Sequence, residues 1–283
     1  MINIVEVGPR DGLQNEPTTL PTDVKVAYVE ALSGTGLKEI EAGAFVSPKA
    51  IPQLADSEDV FARIRRVQGV IYSALVPNEK GFVRAQGAGV EKIAIFTAAS
   101  ETFNRKNINA TIAESIARFD PVVKLAKNAR LPVRGYISTA FWCPFEGRIA
   151  PAAVVEVAKA LIGLGVDELS IGDTIGKATP DETRELLEVL LPVSGMDRTA
   201  MHFHDTYGRA LANCKASYDL GVRTFDSSAG GIGGCPYAPG ASGNISTQAL
   251  VDAFPGSGVD RIQLEAASSL LNTHLQPRRP VGL

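Results

Sequence analysis

Short apolar stretches rich in β-branched residues recur along the chain, separated by segments whose apolar positions have a helical spacing. Eight such stretches predict strands at 2–7, 37–43, 70–76, 92–98, 132–139, 168–174, 198–205 and 224–230. Between them, Val24, Tyr28 and Leu32 share one helical stripe, and a glycine such as Gly36 or Gly165 precedes the next strand. Near-continuous apolar strands alternating with helices are typical of a parallel sheet covered by helices.

Eight strand–helix units in 283 residues predict an α/β fold, a (β/α)₈ barrel, as a single domain over 1–283. Residues 246–283 are expected to form a C-terminal helical extension. An open doubly wound sheet is the alternative. No GxGxxG or GxxxxGK[ST] motif follows an early strand, however, so the usual nucleotide-binding signature of that fold is missing.

Charge and composition exclude several classes of partner. The formal net charge is -3 and the basic residues are scattered, which argues against nucleic acid. No apolar run approaches the roughly 20 residues that span a bilayer, and the start MINIVEV does not resemble a signal peptide. Three widely spaced cysteines without a CxxC pair indicate a reducing compartment. We therefore expect a cytoplasmic protein with no membrane or nucleic-acid partner.

Polar and ionisable residues concentrate at the carboxyl ends of the predicted strands, where barrel enzymes place their chemistry. They are Arg10 and Asp11 after strand 1, Glu41 on strand 2, Asp173 and Thr174 at strand 6, His202 and His204 on strand 7, and GGIGGCPYAPGASGN (230–244) after strand 8.

The MHFHD stretch is the most specific local feature, because two of the three histidines stand two apart in an apolar strand. Strand geometry puts His202 and His204 on the same face, where a cation would keep both imidazoles neutral. Asp11 and Asn244, at neighbouring strand ends, would complete a mixed nitrogen and oxygen ligand set. Such a set favours Mg²⁺ or Mn²⁺ over structural zinc. The alternative is a pair of hydrogen-bonded core histidines.

The segment 230–244 contains six glycines and two prolines around Cys235. This composition is typical of a loop that approaches a ligand closely or adopts unusual backbone angles. The alternative is a surface turn with an incidental cysteine, since a free cysteine is usually buried and inert.

These motifs together identify a family resemblance. VGPRDGLQNE, IEAGAFVSPKAIPQLAD, LVPNEKG, NINATIAESIARF, GDTIGKATP, HFHDTYGRA and GGIGGCPYAPGASGN closely resemble the 3-hydroxy-3-methylglutaryl-coenzyme A lyases, over about residues 2 to 250. The resemblance implies a metal-dependent barrel that cleaves a 3-hydroxy-3-methylglutaryl thioester, an acyl-CoA, to acetyl-CoA and acetoacetate by retro-Claisen chemistry.

The resemblance also implies residue roles. Asp11, His202, His204 and Asn244 are expected as ligands of Mg²⁺ or Mn²⁺, Arg10 as the catalytic arginine at the substrate carbonyl, and Cys235 as the catalytic cysteine. Glu41 and Asp173 match acidic residues of the family's active site, and Gln14 lies in the first loop, beneath the substrate. The first proton acceptor stays open between His202, Asp173 and a water held by Glu41.

Two segments depart from the family pattern. Gly43 and Ala44 stand where the family usually has Thr-Ser, and Phe141 and Trp142 replace smaller residues after strand 5. We expect Gly43, Ala44 and Trp142 to contact the substrate, so a related 3-hydroxyacyl-CoA is an alternative substrate. A superfamily aldolase or acyl-transfer synthase acting on a 2-oxo acid, and a binding protein without turnover, are alternative functions. Barrels of this kind often pair through outer helices, so a homodimer is also expected.

Overall fold

A computed structural model of the protein describes residues 1–234 and 243–275. Within these ranges the strands are β1 (Asn3–Glu6), β2 (Glu39–Ala44), β3 (Ile71–Leu75), β4 (Lys92–Ala98), β5 (Val133–Ser138), β6 (Trp142–Cys143), β7 (Gly147–Arg148), β8 (Glu168–Asp173), β9 (Thr199–Phe203) and β10 (Thr224–Ser227). The helices are α1 (Thr22–Ser33), α2 (Ser57–Arg63), α3 (Glu79–Gly87), α4 (Glu101–Ile108), α5 (Ile112–Asn128), α6 (Pro151–Leu164), α7 (Pro180–Ser194), α8 (Ala210–Asp219), α9 (Thr247–Ala253) and α10 (Arg261–Ser269).

Eight of the strands form a closed parallel barrel in the order β1-β10-β9-β8-β5-β4-β3-β2. Pairing of β1 with both β10 and β2 closes the sheet, with Asn3 opposite Thr224 and Val5 opposite Glu39. The predicted (β/α)₈ barrel is therefore confirmed. The remaining two strands, β6 and β7, form a small antiparallel hairpin after β5.

The main apolar core lies between the barrel and its surrounding helices. Tyr28 and Leu32 of α1 and Val154 and Leu161 of α6 are fully buried there, as the helical spacing predicts. Gly165 ends α6 with a positive φ of 97°, a conformation that glycine adopts without strain. No described helix has the length and apolar content needed to cross a membrane.

The interior of the barrel is unusually polar. Barrel interiors are normally filled by layers of branched apolar side chains, yet Glu39, Lys92, Arg134 and Asp226 are buried on its strands. Lys92 Nζ lies 2.9 Å from a Glu39 carboxylate oxygen, and Arg134 Nη2 lies 2.6 Å from Asp226 Oδ1. Charged groups therefore extend through the barrel toward the ends of the strands.

Candidate metal and acyl-CoA site

Arg10 and Asp11 lie on a single π-helical turn, Gly8–Gly12, directly after β1. The Val7 carbonyl accepts hydrogen bonds from the backbone N–H groups of Arg10, Asp11 and Gly12, at 3.1, 2.7 and 3.1 Å. Such turns are rare and occur frequently at functional sites. This turn orients the two adjacent side chains toward the carboxyl end of the barrel, where both line the main cavity.

Asp11, His202 and His204 form a cluster able to hold a metal ion, with one ligand atom from each residue lying within 4.8 Å of the others. The Nε2 atoms of His202 and His204 lie 3.8 and 4.0 Å from Asp11 Oδ2. These separations are too long for hydrogen bonds and suit atoms that share one cation. Burial raises the pKa of Asp11, but the charges of Arg10 and the two histidines outweigh burial and hold that pKa well below its usual range.

Asn244 adds an amide to this cluster. Its Nδ2 donates to Asp11 Oδ2 at 2.9 Å and to the Ile232 carbonyl at 3.1 Å, while its buried Oδ1 has no hydrogen-bond partner within the described ranges. A buried acceptor without a donor is costly, and an amide oxygen is a ligand that hard divalent cations accept. One carboxylate, two imidazoles and this amide therefore fit a divalent metal.

Arg10 is held rigidly beside the cluster. Its Nη1 donates to Asp11 Oδ1, and its Nε and Nη2 both contact Glu41 Oε2, each at 2.7 Å. The guanidinium carbon lies 5.0 Å from the ring centre of Tyr136, whose hydroxyl donates to the same Glu41 oxygen at 3.0 Å. Burial alone would lower the pKa of Arg10, but the Glu41 and Asp11 carboxylates outweigh it and raise that pKa. The site therefore contains a fixed positive charge.

The cluster opens into a cavity of about 530 Å³, a size typical of sites for small ligands. Its polar walls include Gln14 and Asn15 of the first loop and Ser138 and Thr174 at the ends of β5 and β8. Its apolar lining consists of Val46, Ile51, Leu75, Pro77, Phe96, Phe103, Ile108 and Phe119, together with Ala50. Gln14, predicted to lie beneath the substrate, is thus part of the cavity wall.

Six other predicted site residues in the described ranges do not line this cavity: Glu41 and Asn244, whose contacts are given above, and Asp173, Trp142, Gly43 and Ala44. Both oxygens of Asp173 accept backbone N–H groups, from Lys177 at 3.1 Å and Ala178 at 3.0 Å, and burial raises its pKa to about 7. Asp173 therefore organises the loop after β8. The indole of Trp142 donates to Glu182 of α7 at 3.1 Å.

Gly43 and Ala44 lie on β2, where the strand pairing shifts register between Glu41 and Gly43. A Cβ built on Gly43 would lie 2.7 Å from Ser57 Oγ, so this position faces helix α2. Ala44 packs inside the barrel with residues such as Leu75 and Tyr136. The predicted substrate contacts at Gly43, Ala44 and Trp142 are not brought to the cavity.

Cys235 lies outside the described residues, but the segments on either side of 235–242 are described. A Cβ on Gly243 would lie 1.9 Å from the Gly233 carbonyl oxygen, and a Cβ on Gly233 would lie 2.9 Å from Gly12 Cα. Asn15 Nδ2 donates to the Gly234 carbonyl at 2.9 Å. The glycine content of this motif therefore allows three backbone segments to pack against one another at the site.

Glu6, at the end of β1, binds the turn after β1 and the residues on either side of the glycine-rich segment. Its Oε1 accepts the N–H groups of Gly8 at 2.8 Å and Ala229 at 3.0 Å, and its Oε2 accepts the Thr247 hydroxyl at 2.6 Å. Burial raises the pKa of Glu6 to about 7, although the three hydrogen bonds act in the opposite direction. One buried carboxyl group thus connects the turn that carries Arg10 to both ends of the glycine-rich segment.

Sequence reasoning missed three residues that act next to the site. Tyr136 supports Arg10 and Glu41, and Asp226 Oδ2 lies 3.1 Å from Nδ1 of the predicted ligand His202. Arg134 contacts Asp226 in turn. The sequence does contain a signal for two of them: Arg134 in VRGYIS and Asp226 in TFDS are charged residues within strands that should be fully buried.

The fold and the site define a barrel enzyme whose centre combines a metal-binding cluster with a fixed guanidinium. The HMGL-like family model matches residues 1–273, and the chain belongs to that family. It is 50% identical over 273 residues to the hydroxymethylglutaryl-CoA lyase of Pseudomonas mevalonii, covering 95% of this chain and 90% of the relative. The cytoplasmic 3-hydroxy-3-methylglutaryl-CoA lyase of Homo sapiens is 48% identical, covering 92% of this chain and 70% of the relative.

Solved structures give the same grouping. The HMG-CoA lyase from Brucella melitensis superposes with a TM-score of 0.96 at 47% identity, covering 98% of this chain and 99% of its own. An HMG-CoA lyase from A. baumannii, solved in complex with coenzyme A and 3-methylmalate, has a TM-score of 0.91 at 40% identity, covering 96% and 92%. The family resemblance predicted from the motifs is therefore confirmed.

Proposed function

We propose that this protein is a divalent-metal-dependent carbon–carbon lyase that cleaves 3-hydroxy-3-methylglutaryl-CoA to acetyl-CoA and acetoacetate. One observation carries the proposal: the Asp11, His202 and His204 cluster and the permanently charged Arg10 line the same cavity. Identity of about half to named hydroxymethylglutaryl-CoA lyases supports this substrate. The acyl-CoA class is also supported by the relative solved with coenzyme A and 3-methylmalate.

The reaction requires loss of the proton on the C3 hydroxyl and stabilisation of the charge that develops on the departing thioester. A divalent cation held by Asp11, His202, His204 and Asn244, which we propose to be Mg²⁺ or Mn²⁺, would act as a Lewis acid at a substrate oxygen. Arg10 supplies a fixed cation for the thioester enolate, and a preorganised charge of this kind is worth more in a water-excluded site than in solution. Glu41 and Tyr136 hold Arg10 in place.

Two proton transfers complete the chemistry. We assign the first proton acceptor to none of the three candidate side chains: His202 lines the cavity, but its Nε2 would hold the cation and its Nδ1 faces Asp226, so no lone pair is left to accept a proton. Glu41 is occupied with Arg10, and Asp173 with backbone N–H groups. We assign protonation of the departing acetyl carbon to Cys235, because it directly follows Gly234, whose carbonyl is tied to cavity residue Asn15.

A coupled assay for free acetyl-CoA tests the proposal. Metal-free protein should show little turnover of 3-hydroxy-3-methylglutaryl-CoA, and added Mg²⁺ or Mn²⁺ should restore turnover with one acetoacetate per acetyl-CoA. Arg10→Gln should lower kcat by about 10²- to 10³-fold, the usual effect of removing a transition-state charge partner. Arg184→Gln is the matched control, because Arg184 lies on the surface of α7 in an exposed ion pair with Asp181.

Turnover of a different 3-hydroxyacyl-CoA in preference to this thioester would change the assigned substrate. Condensation of a 2-oxo acid with acetyl-CoA, without cleavage of any 3-hydroxyacyl-CoA, would refute the lyase assignment. Assembly as a homodimer and a cytoplasmic location remain predictions, which size-exclusion chromatography with light scattering and cell fractionation would test.

A further inference from the structure

An ion pair inside the barrel has no role in the chemistry proposed so far. Arg134 on β5 and Asp226 on β10 are 2% and 1% exposed, and their Nη2 and Oδ1 atoms lie 2.6 Å apart. Transferring two charges into a protein interior is costly, and such a pair often stabilises a fold no better than apolar side chains of the same size. The pair therefore calls for an explanation other than stability.

The second oxygen of Asp226 points to the metal cluster. Asp226 Oδ2 lies 3.1 Å from His202 Nδ1 and accepts the Ser170 hydroxyl at 2.8 Å. Asp226 and His202 are opposite each other in the pairing of β10 with β9, so the fold itself brings them together. If Nδ1 of His202 donates its proton to this carboxylate, Nε2 keeps its lone pair. Nε2 is the atom that lies 3.8 Å from Asp11 Oδ2.

Arg134 is fixed in turn from the other end of the barrel. Its Nε lies 2.8 Å from Glu168 Oε1, and its guanidinium carbon lies 5.2 Å from the ring centre of Tyr136. Lys92 contacts the same Glu168 oxygen at 3.2 Å. Arg134 therefore contacts Asp226, Glu168 and Tyr136 at once, and these contacts fix its guanidinium beside the Asp226 carboxylate.

We propose that Arg134 and Asp226 are positioning residues that fix the tautomer and ring orientation of His202 for metal binding. Asp226 accepts the Nδ1 proton, and Arg134 holds the Asp226 carboxylate in the required orientation. The inference rests on the metal site of the proposed function, but it concerns metal affinity and does not depend on which thioester is cleaved.

The test uses Asp226→Asn in the full-length protein, with Mn²⁺ binding measured by calorimetry in the absence of substrate. Asparagine preserves the volume, but whichever way its amide turns, an N–H donor faces either Arg134 or the His202 N–H. Loss of such an outer partner typically weakens metal binding by about 10- to 100-fold, and we expect a change in that range.

The control is Glu39→Gln, which breaks the buried Lys92–Glu39 ion pair of 2.9 Å in the same barrel interior but contacts no metal ligand. Its Mn²⁺ affinity should stay close to that of the wild type, even if both variants unfold at lower temperature. Equal Mn²⁺ affinities of Asp226→Asn and the wild type would overturn the proposal, as would an equal loss of affinity in Glu39→Gln.

A second measurement needs no variant and so holds even if Asp226→Asn does not fold. With only three histidines in the sequence, ¹⁵N NMR of the Mg²⁺-loaded wild type can assign the His202 ring nitrogens. We expect the proton on Nδ1, and a proton on Nε2 would overturn the proposal. If the wild type binds metal as described but cleaves no 3-hydroxyacyl-CoA, the lyase assignment fails and the positioning role still stands.

Discussion

The carboxyl group of Glu6 should make the stability of the protein depend on pH, and replacement with glutamine should remove that dependence. In the folded protein burial raises the Glu6 pKa to about 7, against an ordinary value of 4.5. Between these two values the folded state keeps a proton that the unfolded chain has lost. The contribution of Glu6 to stability is therefore fully present below about pH 4.5 and is lost as pH rises through about 7, because the unfolded chain binds fewer protons in that window.

The pKa difference sets the magnitude. A pKa raised from 4.5 to about 7 corresponds to a loss of about 3 kcal/mol in the free energy of unfolding once the pH is well above 7. Asp173, whose pKa burial also raises to about 7, acts in the same direction. The wild-type profile alone therefore does not isolate Glu6, and the informative quantity is the difference between the wild type and a variant.

Glu6→Gln retains the hydrogen bonds without the charge. Its amide oxygen can accept the Gly8 and Ala229 N–H groups, and its amide nitrogen can donate to the Thr247 hydroxyl. That hydroxyl can then donate to Ser227 Oγ, 2.9 Å away. We expect wild type and variant to have similar stability near pH 5, and the variant to be more stable by up to about 3 kcal/mol above pH 8.

Urea unfolding followed by circular dichroism between pH 5 and pH 8.5 measures this difference. Glu6→Ala is the control, because it leaves the buried N–H groups of Gly8 and Ala229 without their acceptor and should lower stability at every pH. A constant difference between wild type and Glu6→Gln over the whole range would refute the reasoning, since it would mean that Glu6 has the same pKa in the folded and unfolded protein.

Three further predictions concern the site. Cys235→Ala should fold normally and lose most turnover. The control, Cys214→Ala, alters a buried cysteine of α8 and should keep its turnover. Acetyl-CoA release measures the turnover of both proteins, and circular dichroism measures their folding. Gly243→Ala should lower the unfolding midpoint and the metal affinity, because its Cβ would overlap the Gly233 carbonyl, while Gly87→Ala, where no atom lies within 4 Å, should be neutral or stabilising. Adding Mn²⁺ at about 100 times its dissociation constant should raise the free energy of unfolding of the wild type by about 2.7 kcal/mol, as measured by urea unfolding. Asp11→Ala should abolish this gain. An equal gain in that variant would contradict the metal-site assignment.

The pattern of apolar residues predicts the barrel closely because buried strands and helices have few alternatives. The stretch 92–98 coincides with β4, and the predicted 198–205 differs from β9 mainly where His204 leaves the strand to bridge with Asn244. The metal cluster is predictable as well, because carboxyl ends of parallel strands meet at one edge. The two histidines share a face, and their rings lie 5.3 Å apart.

Other placements depend on local irregularities that a sequence pattern does not reveal. The register shift after Glu41 breaks the two-residue alternation of β2, so Gly43 faces helix α2 and Glu41 faces the site. The hairpin of β6 and β7 carries Trp142 to Glu182 and away from the cavity. The charge of Arg134 within a buried strand is visible in the sequence, but its link to His202 through Asp226 requires the barrel to be closed.

The hydrogen bond between Asp11 and Asn244 joins residues that are 233 positions apart. During synthesis the first of these residues leaves the ribosome long before the second, so a growing or truncated chain cannot assemble the full ligand set. We therefore expect the metal affinity proposed for this site to develop only after β10 has paired with β1. Metal binding would then report that the barrel has closed, in cells as well as in refolding experiments.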